Sequence, residues 1–396
     1  MDPVRNPFAP GAGSRPPELA GREQIIEDAR IALSRALLGR FSKSQILLGL
    51  RGTGKTVLLN EIERLANELG HVTSMIEAPE DKPLAALIYP KAHQAIRKLS
   101  RIESAKHAVH RTLGVLRSFA AAFKISAGEI EIAVEPQPGT ADSGDLEQDL
   151  VDLFVEIGQA ARSAGRGWTL LIDEVQYLKG DELSAIIVAV HKISQRNLPV
   201  VFVAAGLPQT AQLSGDAKSY SERLFAFPPV GPLTRKSAIA AIRKPIENEG
   251  ETIEDDALSL IFKKTEGYPF FLQEWGFHSW NTADKSPISL TNVNLASDRA
   301  LKRLDESFFK VRMDRLTNAE VEYVRAMAEL GRGPYKSSDV AECLGKDPSS
   351  LGPRRASIIR KGMIYSPTYG EIDFTVPMFD DFVRRKLNLT QEAKLI

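Results

Sequence analysis

Gln45-Ile46-Leu47-Leu48-Gly49-Leu50-Arg51-Gly52-Thr53-Gly54-Lys55-Thr56-Val57-Leu58 is the stretch that decides the fold. A short apolar run with strand character enters a glycine-rich turn, and Val57, Leu58, Ile62, Leu65 and Ala66 then recur at helical spacing. Strand, glycine turn and helix open an α/β unit. The turn fits G-x-x-x-x-G-K-[ST] and stands where that pattern has a physical meaning, between a strand and a helix start. Gly49, Gly52 and Gly54, with Thr53 among them, let successive N–H groups converge on phosphate oxygens without Cβ clashes, and the helix N-terminus adds its positive end. Lys55 would pair with the β and γ phosphates, and Thr56 would offer its hydroxyl to Mg²⁺.

Working outward, residues 72–77, 168–173 and 199–205 read as further short strands separated by helical stretches, and Phe225-Ala226-Phe227 as a short final one. The expected fold is α/β, a parallel sheet buried on both faces. Thr169-Leu170-Leu171-Ile172-Asp173-Glu174 is an apolar strand ending in two carboxylates at the sheet edge where such folds hold ligands. Asp173 would hold Mg²⁺, and Glu174 would orient and activate the water that attacks a γ-phosphate.

The 80–145 stretch is too long for one connecting helix. It reads as a basic helix followed by a hairpin around Ala127-Gly128, an insertion that could bind DNA or a protein partner or present a solvated face. Residues 1–17 carry five prolines and read as a flexible strap, 18–232 as the α/β core, 233–310 as a helical lid and 311–396 as a final domain. In that last segment three short helices, at 318–330, 337–344 and 349–361, precede two strands around a Pro/Tyr/Gly turn, the order of a winged helix-turn-helix.

Lys+Arg and Asp+Glu are both 51, so no global field draws the chain to nucleic acid or membrane and any DNA footprint must be local. The single cysteine, Cys343, excludes an internal disulfide and fits a reducing compartment. With no signal pattern and no apolar run of roughly 20 residues, a soluble cytoplasmic protein without membrane contact is expected.

The order of strand, phosphate loop, helix, acidic strand, further strand and helical lid resembles the AAA+ P-loop ATPases, with Gly49–Thr56 as Walker A. Gly21-Arg22-Glu23 looks like the Gly-Arg-Glu box of origin-recognition-like and STAND-type members, and Gly267-Tyr268-Pro269 resembles the Gly-x-Pro lid motif of STAND and archaeal-type groups. The resemblance implies ATP between core and lid, with Arg22 near the base and Pro269 near the phosphates. It also implies hydrolysis to ADP and phosphate, which a strand end without a polar residue at Ala204-Ala205-Gly206 would make slow, and room for a nucleotide-dependent homo-oligomer. Arg223, in Ser221-Glu222-Arg223-Leu224, sits where such ATPases carry an arginine finger or sensor, and reads equally as a helix-surface arginine. One departure stands out. The strand end Ala204-Ala205-Gly206 lacks the polar residue that many members use to position water.

Arg354, Arg355, Arg360 and Lys361 fall in the recognition-helix position, four positive charges and no negative one. They could contact double-stranded DNA. A winged helix serves equally as a protein-contact module, as in a signalling or defence switch, and a third reading is a nucleotide-binding scaffold without turnover.

Overall fold

The computed structural model describes residues 1–11, 13–79, 81–125 and 135–387. Contacts divide the chain into two compact units, one of Arg22–Gly49 with Lys55–Val230, the other of Met1–Gly21, Leu50–Gly54 and Gly231–Ile396.

In the first unit the apolar runs pair into a parallel sheet. Among the described residues, β1 (Ser44–Leu48), β2 (His71–Glu77), β3 (Gly167–Asp173), β4 (Val200–Gly206) and β5 (Phe225–Ala226) lie in the order β2-β3-β4-β1-β5. Every residue of β3 is buried, which explains why its sequence shows no alternation of apolar and polar positions. Ile172 pairs with Ala204 and Leu48 with Gly206, so β1, β3 and β4 end at one edge of the sheet. Helices Lys55–Glu68 and Leu84–Leu99 pack on β2, and Leu146–Ser163 packs on β3. The last begins at Asp145, whose carboxylate accepts from the N–H groups of Glu147 and Gln148, an N-cap that satisfies donors the helix leaves open. The basic inserted stretch forms two helices, Leu84–Leu99 and Lys106–Ala122. The hairpin expected around Ala127 and Gly128 lies outside the described residues.

His71 locks β2 into this unit. Its ring is buried; Nε2 bonds the Leu33 carbonyl at 3.1 Å, and Nδ1 lies 2.9 Å from the Thr169 hydroxyl, so both ring nitrogens have partners. Gly167, opposite His71 in the register, has to be glycine because a Cβ there would come within 2.3 Å of the imidazole.

In the second unit, helices Arg235–Asn248, Asp255–Thr265, Pro269–Thr282 and Leu290–Arg303 are followed by a π-helical stretch, Leu304–Phe309, and helix Lys310–Met313. Beyond it come helices Asn318–Glu329, Ser337–Cys343 and Gly352–Arg360, and an antiparallel sheet in which β8 (Glu371–Phe374) lies between β6 (Tyr335–Lys336) and β7 (Ile364–Tyr365). Helix Phe379–Lys386 closes the described chain and was not expected from the sequence. No break in the core falls at residue 310: Phe309 stacks on Phe382 at 5.3 Å and meets Phe271 and Phe379 edge-on.

The N-terminal strap belongs to this same unit and is pinned where the proline-rich composition suggested a loose segment. Trp280 Nε1 donates to the Asp2 carbonyl at 2.8 Å, and Asn6 Nδ2 donates to the Phe277 carbonyl at 3.0 Å. Phe8 is buried over Gly276, where a Cβ would approach its ring to 2.7 Å. No described helix is long and apolar enough to cross a membrane.

Burial pushes the His71 imidazole down to about 4, below its ordinary value, although its bond to the Leu33 carbonyl acts the other way. The unfolded chain therefore takes up the proton first as pH falls. Stability from this group is complete above the unfolded value of about 6.5 and lost as pH drops through 6.5 to about 4, an effect of up to about 3 kcal/mol. Urea unfolding across that window should show the loss in the native sequence and a shallower one in His71→Gln; equal slopes would contradict a buried neutral imidazole.

Candidate functional site

β1 delivers Gly49 to the sheet edge, where its N–H bonds the Gly206 carbonyl at 3.1 Å. Helix Lys55–Glu68 starts six residues later with Lys55 and Thr56 in its first turn. Lys55 is buried, and its Nζ donates to the Gly49 carbonyl at 2.9 Å, so the ammonium is held against the loop it would leave to meet a phosphate. The Thr56 hydroxyl donates to Asp173 Oδ2 at 2.6 Å, while Asp173 Oδ1 accepts the Glu174 N–H at 2.8 Å. Burial pushes the Asp173 carboxyl up, while these two hydrogen bonds favour its charged form. Four of the residues singled out in the sequence, Lys55, Thr56, Asp173 and Glu174, thus lie in one unit at the carboxyl ends of β1 and β3.

Glu174 adopts a left-handed backbone, φ 54°, unusual for a residue with a side chain. Its carboxylate accepts a hydrogen bond from the Gln176 side-chain amide, whose own Oε1 accepts the Leu207 N–H at 3.1 Å. Gln176 was not singled out from the sequence, where nothing links it to Leu207.

The loop Leu50–Gly54 packs within the second unit. Gly52 and Gly54 have φ of 83° and 92°, the Thr53 hydroxyl donates to the Leu50 carbonyl at 2.9 Å, and the Phe270 N–H donates to the Gly52 carbonyl at 3.2 Å. The Arg51 N–H donates to the Thr375 carbonyl at 3.0 Å. Pro269 opens helix Pro269–Thr282 at its first position, where its missing N–H costs nothing. Gly267, φ 75°, is required because a Cβ would stand 2.3 Å from the Leu233 carbonyl oxygen. The Gly-x-Pro sequence is thus a turn that sets Phe270 on the glycine loop.

The other candidates lie elsewhere. Arg22 precedes helix Glu23–Leu37 and is buried, which lowers its guanidinium from the ordinary value. Arg223 is exposed in the short helix Ser221–Leu224, and among the described residues no hydrogen bond or ion pair joins it to Asp173 or Glu174. In helix Gly352–Arg360 and just after it, the cations are largely committed to neighbours. Arg354 stands 3.7 Å from Glu322, Arg355 donates to the Ser337 hydroxyl at 3.0 Å, and Lys361 donates to Glu320 at 2.6 Å and to the Arg315 carbonyl at 2.9 Å. Burial works against it, yet bonds from Lys361, the Thr317 N–H and Ser357 hold the Glu320 carboxyl down at about 2. Arg360 is exposed.

Residues 18–203 match the family model described as AAA ATPase domain. Residues 306–383 match a second model, described as Domain of unknown function (DUF8462). No curated protein matches the sequence. Among solved structures, a Walker-type ATPase of Pyrococcus abyssi is similar over 93% of this chain and 97% of its own, with a TM-score of 0.58 at 16% identity, a likeness of fold. The RuvB Holliday junction branch migration motor of Thermotoga maritima aligns over 95% of this chain and 99% of its own at 15% identity, with a TM-score of 0.45. The ORC1 protein of Aeropyrum pernix, in complex with DNA, aligns over 94% of each chain at 13% identity, with a TM-score of 0.42.

The two loop glycines are expected to differ on substitution. A Cβ at Gly52 would meet the Phe270 Cβ at 3.2 Å, whereas one at Gly54 meets nothing within 4 Å. Both alanine variants carry the left-handed penalty of about 1–2 kcal/mol. Gly52→Ala should cost more than Gly54→Ala in chemical denaturation; equal costs would mean that the Phe270 contact does not constrain the loop.

Proposed function

We propose that this protein binds ATP with Mg²⁺ and hydrolyses it slowly, and that nucleotide state sets the disposition of its C-terminal region. The observation that carries the reading is the convergence of Lys55, Thr56, Asp173 and Glu174, with the Thr56 hydroxyl 2.6 Å from the Asp173 carboxylate. A hydroxyl and a carboxylate at hydrogen-bond distance form a hard oxygen donor set that suits Mg²⁺, which takes few protein ligands and completes its shell with phosphate oxygens and water. Thr56 and Asp173 would hold the metal, which when bound neutralises charge on the phosphates.

The chain's own groups do the rest. Backbone N–H groups of the glycine loop and the start of helix Lys55–Glu68 cradle the phosphates. Lys55 exchanges the Gly49 carbonyl for a phosphate oxygen. Glu174, one residue beyond the metal-holding carboxylate, orients the attacking water and takes its proton. Arg22 and Pro269 complete the nucleotide surroundings in this reading, and Arg223 serves as sensor or finger, as the resemblance to AAA+ ATPases implies.

The helices and hairpin of residues 318–376 follow the order of a winged helix-turn-helix, and we infer that this is the output module. A DNA-binding output rests on Arg360, since Arg354, Arg355 and Lys361 are engaged by Ser337, Glu320 and Glu322. That engagement favours the second reading, in which the module meets protein. The insertion helices Leu84–Leu99 and Lys106–Ala122 offer a second surface for a partner.

Phosphate release and nucleotide binding test the ATPase. Lys55→Ala should weaken nucleotide binding at least about tenfold, and Glu174→Gln should retain binding while slowing turnover by about 10²–10⁴-fold. Turnover in wild type no faster than in Glu174→Gln would leave a nucleotide-binding scaffold. Binding to mixed duplex DNA at two salt concentrations tests the output. Loss on Arg360→Glu, with a salt slope lower by about one, supports DNA; no duplex affinity in any nucleotide state supports protein.

A further inference from the structure

The polar group that the end of β4 lacks is supplied from the loop after β3. Ala204, Ala205 and Gly206 offer no side-chain donor, and Gly206 has no room for one. A Cβ there would stand 2.5 Å from Thr210 Oγ1, 2.9 Å from Val175 Cγ1 and 3.0 Å from Gln176 Oε1. The space a strand-end side chain would fill is already occupied by the Gln176 amide and the Thr210 hydroxyl.

The Gln176 amide has one orientation that fits its surroundings. The Leu207 main-chain N–H can only donate, so Oε1 faces it, at 3.1 Å, and the NH₂ group faces Glu174. Leu207 directly follows β4, and the residue before it, Gly206, accepts from the Gly49 N–H at the start of the phosphate loop. One side chain therefore ties the Glu174 carboxylate to the strand end that also anchors the loop. The left-handed backbone of Glu174, fixed by the bond from its N–H to Asp173, leaves the side chain to be aimed by this contact.

We propose that Gln176 is a positioning residue for hydrolysis, which holds the Glu174 carboxylate in register with the carboxyl ends of β1 and β4 and stands in for the missing polar residue of β4. The inference rests on the reading of Glu174 as the group that activates water. It gives Gln176 no direct contact with the nucleotide, so its removal should act on turnover and not on binding.

The test compares wild type, Gln176→Met, Gln176→Glu, Glu174→Gln and the double variant Glu174→Gln/Gln176→Met. Single-turnover phosphate release, affinity for a fluorescent ATP analogue and thermal unfolding are read for each. Methionine preserves the volume without the hydrogen bonds. Gln176→Met should slow hydrolysis by about 10–100-fold, leave nucleotide affinity within about twofold, and cause no further loss in the Glu174→Gln background, because residues acting as a unit are non-additive. Gln176→Glu keeps an acceptor for Leu207 but cannot donate to an ionised carboxylate, and should lose as much turnover, so the test survives if the methionine variant does not fold. Wild-type turnover in both Gln176 variants, or the same proportional loss in the Glu174→Gln background, overturns the proposal. Wild type no faster than Glu174→Gln overturns the hydrolysis reading itself, and with it the inference, before any Gln176 variant is considered.

Discussion

A buried carboxylate at the end of a central strand is the constraint around which the first unit is arranged. Asp173 sits where desolvation opposes its charge, and it is kept there by the Thr56 hydroxyl and the Glu174 N–H. Such a group is costly unless its hydrogen bonds are met or a cation arrives. The bond from Thr56 fixes the first turn of helix Lys55–Glu68 to β3, and the bond from the Glu174 N–H holds the next carboxylate in a left-handed backbone. The first turn of helix Lys55–Glu68 and the backbone of Glu174 are therefore both positioned by one group. The sheet supplies the rigidity: β3 is buried throughout and flanked by β2 and β4.

Much of this was legible in the sequence because each feature has a local signature. β1, β3 and β4 each carry a short apolar run, and a glycine-rich turn between strand and helix has few other uses. The carboxylates Asp173 and Glu174 stand at the end of an apolar run, so their place at the sheet edge follows from strand polarity. Gln176 was missed because its role depends on Leu207, 31 residues away, and a lone glutamine after a strand carries no pattern. The absence of a polar residue in Ala204-Ala205-Gly206 was visible, but its reason, the lack of room at Gly206, is a property of the folded packing.

The second unit was less legible. Helix Phe379–Lys386 spans eight residues and buries only Phe379, Phe382 and Val383. Two turns of helix with three apolar positions do not stand out from a loop, although acids in the first turn and bases in the last match the helix dipole. The cluster Arg354, Arg355, Arg360 and Lys361 read as a basic face because the partners of three of them, Ser337, Glu320 and Glu322, lie on segments 18 to 41 residues earlier in the chain. Charge counted along one helix does not reveal which charges the neighbouring helix neutralises. The strap likewise read as loose because proline content says nothing about Phe8, and burial of that one ring decides where the segment lies.

The aromatic chain around Phe309 has a consequence for how the molecule can be taken apart. Phe271 on helix Pro269–Thr282, Phe309 on the π-helical stretch, and Phe379 and Phe382 on the last helix share one cluster. Severing the chain anywhere between 304 and 316 would strip each fragment of rings that complete the other's interior. The C-terminal portion is thus a wedge set into the helices before it.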